Sequence, residues 1–413
     1  MRAVLRRPDF RLLFAGLFFS MTAESVLLLA LGIWVKDITG SDGLAGATFF
    51  ALVAPIVLAP FVGFYVDRFR RRPFLIATNL FTAAVLLPLY LVGHDADRLW
   101  IIYLVAALYG LSFIAVGAAL NGLIKEVVPE ELLSEANGAL QTVKQGLRLF
   151  APLLGAGLYT AFGGWALATL GIVGFLIAAS VTTALRVQET APVRVEQRWM
   201  AEVSAGVRHL FGSPGLRLAT LGTTLAILVF GLGESVFFAL NDQGLHKPAA
   251  FLGVLISVQG IGGLLGGLTA AVLIRRLGEV GVVALGLALF VPIYVVGALY
   301  PQLWLTFVAI ALSGFGLPYL IVGLNTLMQR VTPGEILGRT SAAMDALISG
   351  PQALSIGAGA VLVGLVDYRI LLGVMAVVVT ISAAWVWTGR RLSPPSSGTP
   401  VEQPAPETPA PVL

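Results

Sequence analysis

Stretches of twenty or more apolar residues recur along almost the whole chain, separated by short charged or glycine-containing breaks. One such run crosses a hydrocarbon core of about 30 Å as an α-helix. The bilayer interior offers no water to unpaired backbone groups, so a helix that satisfies its own N–H and C=O groups is the natural solution. Composition agrees: of 413 residues, 57% are hydrophobic and 12% charged, against roughly 45–50% and about 25% in a soluble domain. With 26 Lys+Arg and 22 Asp+Glu, a soluble fold of this size lacks the charged surface it needs. That excludes a soluble enzyme, a nucleic-acid-binding module and a disordered chain. The chain reads as an all-α membrane protein of many crossings.

Breakers and charges divide the runs into twelve expected spans, near 11–35, 44–66, 74–93, 99–124, 136–162, 165–185, 217–240, 249–274, 280–299, 302–329, 340–365 and 369–388. Connections such as Gly163-Gly164 and Asp367-Tyr368 leave no room for a soluble domain. The segment Arg186 to Gly215 is longer and charged, and it divides the spans six and six. The expected organisation is a six-helix bundle at 1–185, a linker at 186–216, a second bundle at 217–390 and a tail at 391–413. The tail is rich in Pro, Ser, Thr and Glu, without periodicity, and is expected to be disordered. Within the linker, Val203, Val207, Leu210 and Phe211 alternate with Arg208 and His209, the pattern of an interfacial amphipathic helix. Basic Met1–Arg7 precedes a span too long for a signal-peptide core and without a small-residue cleavage site, so the first span is expected to stay as an anchor.

The loops sort by charge. One set carries Arg2, Arg6, Arg7, Arg68, Arg70, Arg71, Arg72, Arg186, Arg194, Arg198, Arg208, Arg275, Arg276, Arg330, Arg339, Arg390 and Arg391. The other carries Lys36, Arg98, Lys247 and Arg369 among Asp37, Asp42, Asp95, Asp97, Asp242 and Asp367. Positive loops stay on the cytoplasmic side, so both termini are expected there, in a bacterial plasma membrane. This asymmetry accounts for the net charge of +4 without nucleic acid. The absence of cysteine removes disulfides, thiolate metal sites and cysteine nucleophiles, and His94, His209 and His246 lie far apart. Neither a metal site nor a cofactor is expected. No Gly-Lys-Ser/Thr phosphate loop occurs, so the chain does not hydrolyse ATP itself.

The two halves repeat. Leu120-Asn121-Gly-Leu123 matches Leu324-Asn325-Thr-Leu327, and Pro129-Glu-Glu131-Leu-Leu133 matches Pro333-Gly-Glu335-Ile-Leu337. Gly63 matches Gly267, Gly110 matches Gly314, and Arg71-Arg72 match Arg275-Arg276, all at an offset of 204 residues. Glu24-Ser25-Val26 matches Glu234-Ser235-Val236 at an offset of 210. Polar residues at one offset are not the product of shared apolarity. Six spans per half give both halves the same orientation, and two like-oriented bundles facing each other enclose a cavity near the midplane.

The loop after the second span reads Gly63-Phe-Tyr-Val-Asp67-Arg68-Phe-Arg70-Arg71-Arg72. It resembles the signature Gly-x-x-x-Asp-Arg-x-Gly-Arg-Arg/Lys of the major facilitator superfamily, with Arg70 in place of the second glycine. The resemblance implies two pseudo-symmetric six-helix bundles of that fold, with a cytoplasmic latch made by Gly63, Asp67, Arg68, Arg71 and Arg72. The arginines are expected to grip acids on neighbouring helix ends. In the second-half copy Ala271 stands where Asp67 does, so that latch is degraded. Asp9-Phe10-Arg11-Leu12-Leu13 and Gly206-Val-Arg208-His-Leu-Phe-Gly-Ser213-Pro214-Gly-Leu216-Arg217 look like the drug- and siderophore-exporter branch of the superfamily (the macrolide-efflux and enterobactin-exporter type). Ala151-Pro152-Leu-Leu-Gly155-Ala156 is similar to the Gly-Pro-x-x-Gly-Gly motif of antiporters, with Ala151 and Ala156 replacing two glycines. The fourth span lacks the intramembrane Arg of the proton-coupled pattern.

Ionisable residues inside spans are costly and mark function. Glu24 lies about thirteen residues into the first span, roughly 20 Å at 1.5 Å per residue, and Arg148 sits at similar depth in the fifth. Leaving either alone in low dielectric is expensive, so the two are expected to pair; protonation of Glu24 then releases the pair and couples protons to transport. Glu234 is a second coupling candidate or a ligand for a cationic substrate. Lys144, one turn before Arg148, is expected to snorkel, and Asp345 to pair with Arg339. Asn121 and Asn325 are expected to hydrogen-bond between helices, with substrate contact as an alternative. Among aromatics, Phe237 and Phe238 beside Glu234 are the strongest candidates to line a cavity.

The expected function is a secondary active exporter of a bulky amphipathic small molecule such as a drug or siderophore. It works by alternating access, with H+ as coupling ion, as a monomer in the lipid bilayer. A symporter or uptake carrier, or a lysophospholipid flippase, on the same fold is the alternative, followed by a non-transporting receptor or scaffold. An intramembrane enzyme needs a His–Asp, Ser–Lys or metal constellation, and none is visible.

Overall fold

A computed structural model describes residues 7–58, 62, 66, 68–129, 132–185 and 199–392. Among these the chain is helical, with no strand. The first half contains α1 (Pro8–Thr39), α2 (Asp42–Val53), α3 (Arg71–Leu86), α4 (Leu99–Val127), α5 (Leu133–Phe162) and α6 (Gly164–Thr183). After the amphipathic α7 (Trp199–Gly212), the second half contains α8 (Pro214–Phe230), α9 (Gly233–Ala239), α10 (Phe251–Ala288), α11 (Val291–Leu299), α12 (Leu303–Val331), α13 (Gly334–Leu362) and α14 (Tyr368–Thr388). Gly63, Asp67, the linker before 199 and the tail from 393 lie outside the described residues.

Seven stretches among the described residues are long and apolar enough to cross a membrane unaided: Pro8–Thr39, Arg71–Leu91, Ala96–Gly117, Gly164–Thr183, Phe251–Leu299, Leu303–Val331 and Tyr368–Thr388. Of the remaining expected spans, the fifth and eleventh are continuous helices, α5 and α13, and the second and seventh are interrupted. Past α2 the chain tightens into a 3₁₀ turn at Ala54–Leu58, and the span after Pro214 breaks between α8 and α9. Phe251–Leu299 holds two spans, because the chain turns back at Gly278, whose φ of 72° and ψ of 167° no helix contains. Before Gly278 the contacts to α12 run parallel, Gly262 on Ala311 and Gly266 on Phe315; after it they run antiparallel, Gly286 on Gly316 and Gly323 on Val283. Only glycine takes that conformation without strain.

The repeat is visible in packing. A Cβ at Gly110 of α4 would lie 1.9 Å from the Leu52 carbonyl oxygen, and one at Gly314 of α12 would lie 2.1 Å from that of Gln259. The two glycines do the same work, bringing α4 onto α2 and α12 onto α10 at backbone distance. Gly155 against Val26 and Gly359 against Leu232, each at 2.7 Å, repeat the arrangement between α5 and α1 and between α13 and the α8–α9 span. Without a hydrophobic drive between helices in lipid, close approach through small residues is what holds such pairs.

The outer faces carry exposed apolar side chains. Trp100, Trp165 and Trp304 begin helices at the end bearing the acidic loops, and Trp385 and Trp387 end α14 at the arginine-rich end. Indole rings at two levels match the two interfaces of a bilayer. α7 meets α8 at 102° and buries Leu210, with Gly206 against the Arg339 carbonyl of α13. The amphipathic segment thus turns sharply away from the span that follows it.

The halves meet at the acidic end. There Gly46 abuts Ser235, Gly43 the Ala360 carbonyl, Gly253 the Pro152 carbonyl and Gly357 the Phe50 ring. Farther toward the arginine-rich end, on the same faces of α10 and α13, a Cβ at Gly267 or Gly350 meets nothing within 4 Å among the described residues. Among the described residues the close contacts of the seam gather at the acidic end.

Candidate functional site

The candidate residues fall into two groups, one on α1, α4 and α5 of the first half and one on the α8–α9 span of the second. Glu24 is half-buried on α1. Gly155 draws α5 against α1 at Val26 and Ala30, which brings Lys144 of α5 near enough for its charge to act on Glu24; Tyr109 of α4 interacts with the same carboxylate. The Tyr109 ring packs edge-on against Phe175 at 6.1 Å, and its buried hydroxyl has no hydrogen-bond partner among the described residues. The side chains of Arg148 and Asn121 lie outside what is described. Lys144, expected to snorkel, is exposed, and its charge acts on Glu24. One turn on the same helix face separates it from Arg148.

In the second half, Glu234 lies beside the interruption of its span. A Cβ at Gly231 would fall 2.6 Å from the Ile356 nitrogen and 2.7 Å from the Gln352 oxygen, so α13 passes against bare backbone there. At the break the Leu232 N–H is shared between the Val229 carbonyl at 3.2 Å, three residues back instead of four, and the Ser355 hydroxyl at 3.1 Å. Hydroxyl side chains are the usual repair for freed backbone groups at membrane depth. Glu234 itself is half-buried, and at the matching position Glu24 sits in a continuous helix. The sequence signal for the break was Gly231-Leu-Gly233, which apolar periodicity does not weigh.

The aromatic pair divides. Phe237 stacks on Tyr294 with ring centroids 6.5 Å apart, inside the second half. Phe238 is buried in the seam, 6.3 Å from Phe49 and against Gly32; it closes the acidic end rather than lining an opening. Asn325 also departs from expectation. It is exposed on α12 and makes no hydrogen bond to another helix among the described residues. Asp345 is exposed on α13, one turn from Ser341.

At the arginine-rich loop, Arg72 donates from Nε to the Thr182 carbonyl at 3.1 Å and from Nη2 to the Thr183 carbonyl at 2.6 Å. Arg72 thereby caps the last turn of α6, where orphan carbonyls and the negative end of the helix dipole favour a cation; Asp67, Glu130 and Glu131, acids of the expected grip, lie outside the described residues. Arg68 is exposed and Arg71 partly so. In the second half, fully buried Glu279 at the turn after Gly278 pairs with Arg330 at the end of α12. Sequence reading missed this pair, since Arg330 counted only toward loop charge. Among the described residues no group of acids and histidines fits a metal ion.

Comparison with known proteins follows the same lines. The chain matches the Major Facilitator Superfamily over residues 13–241 and again over 223–412. It is similar to macrolide efflux protein A of Streptococcus pyogenes, with 21% identity over 346 residues, 82% of this chain and 85% of that protein. It is similar to the multidrug efflux pump Tap of Mycolicibacterium fortuitum, with 26% identity over 401 residues, 90% of this chain and 95% of that one. Among solved structures, a bacterial homologue of the iron transporter ferroportin in an inward-facing state superposes with a TM-score of 0.69 at 16% identity, covering 92% of this chain and 98% of the other.

Proposed function

The chain belongs to the major facilitator superfamily, and from that membership we propose that it exports a bulky amphipathic small molecule across the bacterial plasma membrane in exchange for protons. The transporter class rests on the family; the direction of transport draws on relatives named for macrolide and multidrug efflux. The moving units are the bundles of residues 1–185 and 217–390, and the arginine-rich end faces the cytoplasm with both termini, as the positive-inside rule requires.

The one-ended seam carries the reading. Close contacts gather at the acidic end, while toward the other end a Cβ at Gly267 or Gly350 meets nothing within 4 Å among the described residues. Two rigid bundles joined at one end and parted at the other admit a molecule from the cytoplasmic side, and rocking them exposes it on the far side. Glu24, with Lys144 and Tyr109 around it, is the proton-accepting group; Glu234 beside the broken span is the second carboxylate, facing cargo. Arg148 and Asn121 complete the first-half face, and Gly63, Asp67, Arg68, Arg71 and Arg72 form the cytoplasmic latch that engages once the opening shuts. The protein works as a monomer.

The test is efflux from inside-out vesicles under an imposed proton gradient. Unaltered protein accumulates a fluorescent amphipathic amine, and Glu24→Gln reduces gradient-driven accumulation by about tenfold or more, as expected for loss of an essential proton-transfer group. Unchanged gradient-driven transport by Glu24→Gln sinks the coupling role.

A further inference from the structure

Lys36, in the last turn of α1, sits in the seam at the acidic end. Its ammonium lies 2.8 Å from Asp42 Oδ1 and 2.8 Å from Asp242 Oδ2, and it donates to the Gly40 carbonyl at 2.9 Å. The ammonium thus hydrogen-bonds to Asp242 Oδ2 and the Gly40 carbonyl and pairs by charge with Asp42 Oδ1, which takes no hydrogen bond among the described residues. Lys36 and Asp42 are only 8% and 9% exposed, while the Asp242 side chain is 54% exposed. A second contact crosses in parallel: Gln243 Nε2 donates to Asp42 Oδ2 at 3.2 Å.

Two consecutive residues, Asp242 and Gln243, reach the adjacent members of one ion pair, Lys36 and Asp42, where the chain after α9 widens into a π turn at Leu240–Gly244. In an α-helix neighbours diverge by about 100°, and single π turns recur at functional sites. Buried Asn241 fixes this turn by donating to the carbonyls of Lys247 at 2.9 Å and Pro248 at 2.8 Å. Around the charges lie the tightest approaches of the seam, Gly43 on Ala360 and Gly46 on Ser235.

The partners divide by half. Asp42 and the Gly40 carbonyl move with Lys36, whereas Asp242 and Gln243 belong to the opposite bundle. A buried ammonium stripped of every partner is severely penalised, but separation here leaves Lys36 with Asp42, and Asp242 is already half in water. The contact can therefore break and re-form without stranding a buried charge.

We propose that Lys36, Asp42, Asp242 and Gln243 form the lock that holds the acidic end shut, with Lys36 the member that exchanges a two-half for a one-half partnership when that end opens. This rests on the alternating-access reading above and assigns its outer gate.

The chain has no cysteine, so His94→Cys and Gln302→Cys place one spin label on an exposed acidic-end position of each half, and the distance between them is measured in lipid nanodiscs. The unaltered lock gives a dominant short distance. Lys36→Met and Asp242→Asn each raise the ratio of long to short distances by roughly fivefold, the factor one partly exposed ion pair is worth; Lys36→Arg retains the short one. Asp242→Asn is isosteric at a half-exposed site, so it reports on the lock even if Lys36→Met disturbs folding. Unchanged distances in Asp242→Asn, or an equal shift in the off-seam control Arg98→Gln, overturn the lock. Vesicle export assayed on the same proteins separates the two claims: no export by any of them, the parent included, counts against the transport reading and leaves the distance result to decide the lock.

Discussion

Arg72 shows how a residue singled out by its motif can carry a further structural task, the capping of α6. Its place in the basic loop was legible, because the Gly-Asp-Arg spacing sets it at a helix start. Its partners were not, because carbonyls at the end of α6 leave no mark in side-chain sequence. Removing its two bonds to Thr182 and Thr183 exposes orphan carbonyls, so Arg72→Gln is expected to lower stability by about 1 kcal/mol, read as an earlier thermal transition in detergent. An unchanged transition contradicts the capping role. The same contrast applies to charged residues elsewhere. Glu24 and Glu234 stood out because each interrupts an apolar run. Lys36 did not, because at a span end a lysine reads as loop charge, and its partner Asp242 lies 206 residues away.

At the level of elements, the spans and their repeat were legible, and the interruptions were not. Hydropathy reports that a stretch is apolar; it does not report whether the backbone within it stays helical. Gly110 and Gly314 announced the repeat by offset, and both prove to be close-packing points. Gly278 and Gly231 carried no comparable signal, although one reverses the chain and the other breaks a span. Gly278 holds φ 72°, so Gly278→Ala is expected to cost about 1–3 kcal/mol and to weaken the packing of both arms of α10 on α12. Thermal unfolding of the purified variant measures this, and wild-type stability would show that the turn tolerates a side chain.

For the whole molecule, membrane physics explains which surfaces remained hidden. Lipid and protein interior are equally apolar, so a residue such as Phe238 looks alike whether it meets acyl chains, a cavity or the seam. Only the assembled bundles decide, and they place it in the seam against Phe49. The same seam makes a steric prediction. A Cβ at Gly46 would sit 1.6 Å from Ser235 Oγ, so Gly46→Ala wedges the acidic end apart and is expected to raise labelling of a nearby introduced cysteine by impermeant thiol reagents; unchanged labelling would contradict the tight seam. The central claim is that the two ends open in turn. Its most direct measurement places one spin-label pair across the acidic end and another across the arginine-rich end, and follows both while a proton gradient drives export. The account predicts reciprocal change, the arginine-rich distance shortening as the acidic-end distance lengthens; export proceeding with both distances fixed would contradict it.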